Sequence, residues 1–366
     1  MRALSTYCLL FLMFFSTYNS CKNAITYRLS KGRFGDQIIA YAKAKYLAKK
    51  YDLQFLYKSF AHSSLLTLDT QEPFTLAQFQ RTFLDQAPIL PTTNLATKSK
   101  KTILFIAQLD TKKDEIQTLD SVYDCMLTDS DFAQEIKQML TPQVAIHKLD
   151  LPQDKITVAL HVRKGSGLDR PIVSMQRYNI ADYINRPERT IDKSNLYLLC
   201  ADERYPHKFP PDQFYIESLK LLCDLVDNRP MYVYLFTDYA NPQELVDLYT
   251  QEVNRSNIIF ACHTVTQQKN MRMIDDYYNM AQFDCLIRSA SNFSRASQLL
   301  GIDTIKLIIA AKHATWHDDA VVIDALHIQA RNSKEETSFN FMYKIPEKNK
   351  NEFLEMKKYI QKIFCL

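Results

Sequence analysis

The sequence contains little glycine: only five of its 366 residues are Gly. These glycines do not form Gly-x-Gly-x-x-Gly or the Gly-Lys-Ser/Thr of a P-loop, the loops that hold dinucleotides and the phosphates of ATP. The sequence therefore gives little support to a nicotinamide-dependent enzyme or an ATPase.

Charge of one sign is also scarce. The formal net charge is +4, and no block of Lys and Arg is long enough to predict a nucleic-acid partner.

The eight cysteines include no Cys-x-x-Cys pair, and their spacing assigns no disulfides. Cys223, Cys262 and Cys285 lie in apolar runs and are predicted to be small buried hydrophobic residues. We expect no metal cofactor.

Residues 1–20 are typical of a secretory signal peptide, because Arg2 precedes the apolar run Leu9–Phe15, which is followed by Ser20. The run is shorter than the roughly 20 residues of a full membrane span. An uncleaved anchor and lipidation at Cys21 stay open as alternatives. We expect export, to a secretory lumen or the periplasm, or attachment to a membrane.

The length predicts two domains at roughly 150 residues each, and 46% apolar with 23% charged residues is an ordinary globular balance. Strands and helices alternate, so we predict an α/β protein with two doubly wound, Rossmann-like domains. The predicted domains are residues 24–150 and 151–345, followed by a C-terminal helix within 346–366.

In the first domain the pattern predicts strands at 24–29, 53–57 and 102–106, helices at 36–51 and 130–140, and loops with short helices over 58–101. In the second domain it predicts strands at 156–162, 232–236, 258–262, 285–287 and 305–310. The helices predicted between them cover 214–226, 242–253, 271–283 and 294–300.

Four of the five glycines form two clusters, Gly32 with Gly35 and Gly165 with Gly167, and each cluster follows a predicted strand. Glycine lets the backbone approach a ligand closely, and ligands of open α/β sheets bind at the carboxyl ends of strands. The clusters therefore predict two ligand loops, with a pair of ordinary tight turns as the alternative.

His161 and Arg163 lie just before the second glycine cluster and point to the same face of a predicted strand, because side chains alternate along a strand. A guanidinium recognises phosphate through two parallel hydrogen bonds, and a neighbouring histidine can donate to the same oxygens. The pair predicts a phosphate site. The alternative is a surface arginine beside a histidine whose hydrogen bonds are formed within the protein.

Several motifs resemble those of the GDP-fucose-dependent fucosyltransferases. Gly32–Gln37 (GRFGDQ) is similar to Gly-Gly-Leu-Gly-Asn-Gln of the α-1,2 enzymes and to Gly-Arg-Phe-Gly-Asn-Gln of a protein O-fucosyltransferase. His161–Gly165 resembles the family's His-x-Arg-x-Gly, and Leu235–Asp238 its Phe-Ser/Thr-Asp strand end. Ser289–Ser294 resembles its Ser-rich loop.

The resemblance implies a GT-B architecture and transfer of fucose from GDP-fucose to a glycan or a protein hydroxyl, without an obligatory metal. It places the donor on the second domain and the acceptor side on the first. Arg163 would hold the β-phosphate with His161 and Gly165 beside it, and Asp238 would contact the guanosine. The other implied binding residues are Ser291, Phe293 and Ser294 in the donor pocket, and Gly32, Arg33, Phe34, Gly35 and Gln37 near the transferred sugar.

Three residues are candidates for catalysis. Arg163 would stabilise the charge that develops on the β-phosphate. Asp169 is the first candidate for the base that activates the acceptor hydroxyl, and Asp36 the second. The pair Asp129 and Asp131 has the spacing of a metal-binding Asp-x-Asp, but it opens a helix, so capping is the better interpretation.

Two other functions are also compatible with the sequence. One is a GT-B glycosyltransferase with a different nucleotide sugar. The other is an exported binding protein that kept the scaffold and lost turnover. The second is favoured by two departures from the family: Asp36 stands where Asn is usual, and Ser166 stands where the α-1,2 enzymes have Asp.

Overall fold

The computed structural model of the chain describes residues 23–28, 32–72, 104–107, 116–164, 207–263, 272–317, 320–331, 336–342 and 346–364. The chain divides into two compact units, Met1–Leu140 and Thr141–Leu366. The predicted leader lies outside the described residues. Across those ranges, no helix is both long and apolar enough to span a bilayer.

The first unit contains a parallel three-stranded sheet in the order β2-β1-β3. Its strands are β1 (Ala24–Tyr27), β2 (Gln54–Phe55) and β3 (Leu104–Ala107), and its helices are α1 (Phe34–Lys50), α2 (Leu68–Gln71), α3 (Ile116–Thr128) and α4 (Ser130–Leu140). Helix α1 buries most of its length, and Asp36 in its first turn and Lys49 in its last complement the helix dipole.

The second unit contains a seven-stranded sheet in the order β10-β9-β8-β7-β4-β5-β6. Its strands are β4 (Ile156–Val162), β5 (Met231–Thr237), β6 (Ile258–Cys262), β7 (Cys285–Arg288), β8 (Leu307–His317), β9 (Ala320–Arg331) and β10 (Glu336–Met342). Its helices are α5 (Asp212–Leu225), α6 (Pro242–Val253), α7 (Met273–Met280), α8 (Asn292–Leu300) and α9 (Pro346–Ile363).

Strands β4 to β8 are parallel, and β8, β9 and β10 pair antiparallel. From the central strand β4 the chain adds β5 and β6 on one side, then returns to add β7 and β8 on the other. Doubly wound sheets bind ligands where the order reverses, outside the carboxyl ends of the strands. In this sheet that switch point lies between the ends of β4 and β7.

Helices cover both faces of this sheet, which explains why all seven residues of β4 are buried. Val158 and Val162 face a core that includes Phe214 of α5 and Met356 of α9. Ala159 faces the second core with residues such as Met280, Phe283 and Leu286. Each large apolar side chain buried there contributes roughly 1.5–3 kcal/mol before entropy. The two cores fix the plane and direction of the strands that carry the site.

The predicted α/β class is confirmed, and each strand and helix predicted from the pattern has a counterpart among the described residues. Helix α3 and strands β9 and β10 were not predicted, and β8 continues to His317 rather than ending at 310. Cys223 and Cys285 are buried as expected, whereas Cys262 is partly exposed.

The units separate after Leu140, ten residues before the predicted domain boundary. The intervening segment packs against helix α7 of the second unit. The backbone N–H of His147 donates to Asp275 Oδ1 (3.0 Å), and the N–H of Leu149 donates to Asn279 Oδ1 (3.1 Å). These buried polar side chains hold the segment through its backbone, which spacing of apolar residues does not reveal.

Candidate functional site

Arg163 directly follows β4 at the switch point, and three neighbours fix its position. Its Nη1 donates to Ser291 Oγ at 3.4 Å. Its guanidinium carbon lies 5.5 Å from the centre of the Phe209 ring, a cation–π distance. Its backbone N–H donates to the hydroxyl of Tyr215 at 3.4 Å. The loops after β4 and β7 therefore meet at this guanidinium.

His161 lies on the same strand face as Arg163 and is only 7% exposed. Its ring centre lies 6.0 Å from that of Phe293. Burial, together with the positive charges of Arg163 and Arg288, lowers the pKa of His161 to about 3. The imidazole is therefore neutral at pH 7. Its Nδ1 is buried and has no hydrogen-bond partner among the described residues, so a polar group is available at the centre of the switch point.

Arg288 is a cation that the sequence patterns did not single out. It is the last residue of β7, pairs in register with His161, and is 7% exposed. Its Nη1 donates to the carbonyl of Ser289 at 3.3 Å. The signal that could have found it is a charged residue directly after the apolar run Cys285–Ile287, because ligands of open α/β sheets bind at the carboxyl ends of strands.

The Ser-rich loop after β7 caps helix α8. Ser291 Oγ accepts from the N–H of Phe293 (3.3 Å), and Ser294 Oγ donates to the carbonyl of Ser291 (3.0 Å). The start of α8 thus carries the partial positive charge of the helix dipole at the switch point. Its N-cap residue Ser291 and first helical residue Asn292 are neutral, so neither offsets that charge. Helix N-termini of this kind favour anions.

Helix α5 also begins at this end of the sheet, but a carboxylate already occupies its first position. Asp212 opens α5, and its Oδ1 accepts from Lys164 Nζ and from the hydroxyl of Tyr249, each at 2.6 Å. The aspartate offsets the positive end of α5, and Lys164 offsets the aspartate. Of the two helices, α8 is therefore the better anion site.

Asp238 follows β5 and connects two loops. Its Oδ1 accepts from the backbone N–H of Lys164 at 2.8 Å, which holds the residue after Arg163 against the end of β5. The contact with guanosine that the resemblance implied for Asp238 stays a prediction. Gly165, Ser166 and Asp169 lie outside the described residues.

The motif Gly32–Gln37 belongs to the first unit, where it closes the turn into α1. Asp36 Oδ2 accepts from the N–H of Arg33 (3.0 Å), and Gln37 Nε2 donates to the carbonyl of Gly32 (2.9 Å). A Cβ atom on Gly32 would lie 2.2 Å from Asp36 Oδ2. The glycine is therefore needed because the capping carboxylate folds over it. Phe34 and Gly35 are buried and Arg33 is exposed.

The geometry gives Asp36 a capping role, and this role can be separated from that of a catalytic base. We expect Asp36→Asn to keep the melting temperature close to wild type, because an amide oxygen still accepts from Arg33, while Asp36→Ala should lose about 1 kcal/mol of stability. Asp36→Asn should also retain turnover. Loss of turnover in a fully folded Asp36→Asn variant would contradict the capping role and make Asp36 the base.

Asp129 behaves as the sequence predicted for a helix cap: its Oδ1 accepts from the N–H of Phe132 at 3.0 Å at the start of α4. Lys49 Nζ lies 3.1 Å from the same oxygen. Among the described residues, no group of three or more His, Cys, Asp or Glu side chains is arranged to hold a metal ion.

The second unit thus brings Arg163, Arg288 and the start of α8 together at the switch point of a doubly wound sheet. No protein-family model and no curated protein sequence matches the chain. Among solved structures, the chain is similar to POFUT1 in complex with GDP-fucose, at 12% identity and a TM-score of 0.35, covering 77% of this chain and 94% of that one. It is also similar to a mutant of Arabidopsis thaliana FUT1 in complex with GDP, at 10% identity and a TM-score of 0.39, covering 83% and 74%. Likenesses this distant carry no argument about activity.

Proposed function

We propose that the protein is a glycosyltransferase that uses a GDP-sugar donor, and specifically GDP-fucose. One observation carries the proposal: the guanidinium of Arg163 and the capped start of α8 meet at the switch point. The loops that meet there are the ones whose sequences, His161–Gly165 and Ser289–Ser294, resemble the donor motifs of the fucosyltransferases.

In the proposed reaction, the bond between C1 of fucose and the β-phosphate oxygen breaks, the acceptor oxygen forms the new bond to C1, and GDP leaves with the added negative charge. Arg163 is already held by Ser291 and Phe209, so it stabilises that charge without rearranging. Removing one such preorganised donor costs roughly 2.7–4 kcal/mol in the barrier. The neutral imidazole of His161 can donate a further hydrogen bond. We propose Asp169 as the base that accepts the proton of the acceptor hydroxyl.

The experiment that tests this function is incubation of the purified chain with GDP-fucose and a glycan array that includes glycoprotein acceptors. Transfer of fucose supports the proposal. Transfer only from another nucleotide sugar would favour the rival glycosyltransferase. Binding of GDP-fucose or glycan without any transfer would favour the inactive binding protein.

Binding of GDP should not need a divalent cation, because Arg163, Arg288 and the start of α8 supply positive charge at the switch point. Calorimetry with GDP in EDTA should give the same affinity as in Mg²⁺ or Mn²⁺, within about twofold. Binding that appears only with a metal would contradict the prediction.

We also propose that the N-terminal segment, with Arg2 and Leu9–Phe15, directs export or membrane attachment. Fractionation of a C-terminally tagged protein should recover it in the secretory lumen, the periplasm, the medium or the membrane. A protein found only in the cytosol with Met1 intact would contradict this.

A further inference from the structure

A partly buried guanidinium and a buried one flank one imidazole at the switch point. Arg163 directly follows β4, two residues after His161, and Arg288 pairs with His161 from β7. Neighbouring strands are about 4.8 Å apart, so Arg288 and His161 are side by side. The lowered pKa of His161 responds to the charges of both arginines, which agrees with this arrangement.

Such an arrangement is suited to an anion with more than one charged group. A guanidinium is always protonated, and burying it costs free energy that an opposite charge offsets. Two guanidiniums on one sheet face repel each other as well, so a shared anion stabilises both. The adjacent start of α8 adds partial positive charge, and the buried Nδ1 of His161 adds a polar atom with no partner among the described residues.

We propose that Arg288 is the second cationic arm of the donor site, binding the α-phosphate while Arg163 binds the β-phosphate, and that the pair makes the site select a nucleoside diphosphate over a monophosphate. This rests on the proposed function, because it assigns a further residue to the same donor site. Each guanidinium can form two parallel hydrogen bonds with one phosphate group. A monophosphate fills the Arg288 arm and leaves Arg163 without its phosphate.

The test is calorimetry of GDP and GMP with the whole chain, comparing wild type, Arg288→Gln, Arg288→Lys and Arg163→Lys. Wild type should bind GDP at least about 10-fold more tightly than GMP, since the second phosphate adds a charged hydrogen bond. Arg288→Gln should weaken GDP and GMP binding by a similar factor, roughly 10- to 100-fold, because both nucleotides carry the α-phosphate. Arg288→Lys should fall between, because it keeps the charge and loses the fork. Arg163→Lys should weaken GDP binding more than GMP binding and so lower the GDP-to-GMP ratio, because only GDP has a β-phosphate.

Arg331→Gln is the matched control. Arg331 is also 7% exposed, but it ends β9 beside the start of β8, at the end of the sheet away from the switch point, where its Nε donates to the carbonyl of Ile305 at 2.9 Å. This variant should keep the wild-type affinities for GDP and GMP even if its melting temperature drops. A general loss of stability therefore cannot imitate the expected loss of affinity.

The outcomes separate the two proposals. If wild type binds GDP and the folded Arg288 variants bind GDP and GMP as tightly as wild type does, Arg288 is structural and this inference is overturned while the proposed function stands. If neither Arg288 variant folds, the wild-type ratio decides: equal affinity for GDP and GMP overturns the inference. If wild type binds neither nucleotide, the proposed function fails together with it.

Discussion

Arg163→Lys and Arg163→Ala should both fold and both bind GDP more weakly than wild type, by about 1.5–3 kcal/mol, the loss expected for a charged hydrogen bond. Arg163 is only partly buried and lies outside both cores, so the variants should keep the wild-type melting temperature. Lysine preserves the charge but not the planar fork, so it does not substitute at a phosphate site. Calorimetry with GDP measures the loss.

Turnover of GDP-fucose should fall further than binding, because the charge on the β-phosphate grows in the transition state. Arg255→Lys is the control for an arginine-to-lysine change away from the site, since the Arg255 side chain forms an exposed ion pair with Asp224. It should leave both affinity and turnover unchanged. Arg163 variants that fold and bind GDP as wild type does would show that this arginine is not part of a donor site.

The stability of the protein should decrease with acid because of His161. Burial and the neighbouring arginines lower its pKa to about 3 in the folded state, whereas an unfolded histidine titrates near 6.5. The unfolded chain therefore binds more protons, and stability rises with pH. The contribution is fully present above pH 6.5 and is lost as the pH falls from there towards 3, by about 1.4 kcal/mol per pH unit.

Urea unfolding between pH 7.5 and pH 5 measures this effect. Other groups titrate in the same range, so the comparison is with His161→Gln, which should lose about 2 kcal/mol less than wild type over that interval. His147→Gln, at an exposed histidine of the same unit, is the matched control substitution. Parallel curves for wild type and His161→Gln would contradict a neutral, buried His161.

The sequence predicted the doubly wound sheet because its central strands are continuous apolar runs separated by amphipathic helices. The run Ile156–Val162 reads as a strand at the residues where β4 lies. Strands β9 and β10 were missed for the opposite reason. They pair antiparallel at one edge of the sheet, and in β9 the apolar run stops at Asp324 after four residues, which is too short to tell a strand from a helix by periodicity.

Part of the candidate site could also be predicted, because spacing along one strand determines which side chains share a face. His161 and Arg163 follow from that rule. Contacts between distant segments cannot be predicted from that rule. That Arg163 and Ser291 lie close together was expected only from the family resemblance. Arg288 and Phe209 were missed because their roles depend on which strand lies beside β4 and on how a loop returns to it. Asp36 stays a predicted second candidate for the base, and its carboxylate also accepts from the N–H of Arg33.

The central claim is that the pyrophosphate of a GDP-sugar binds at the switch point of the second unit. Hydrogen–deuterium exchange of the whole chain with and without saturating GDP tests this most directly, because it reports where backbone N–H groups become protected. The account predicts protection at Ser289–Ser294 and at the end of β4, including the N–H of Arg163. Binding of GDP that protects other segments and leaves both of these unchanged would contradict it.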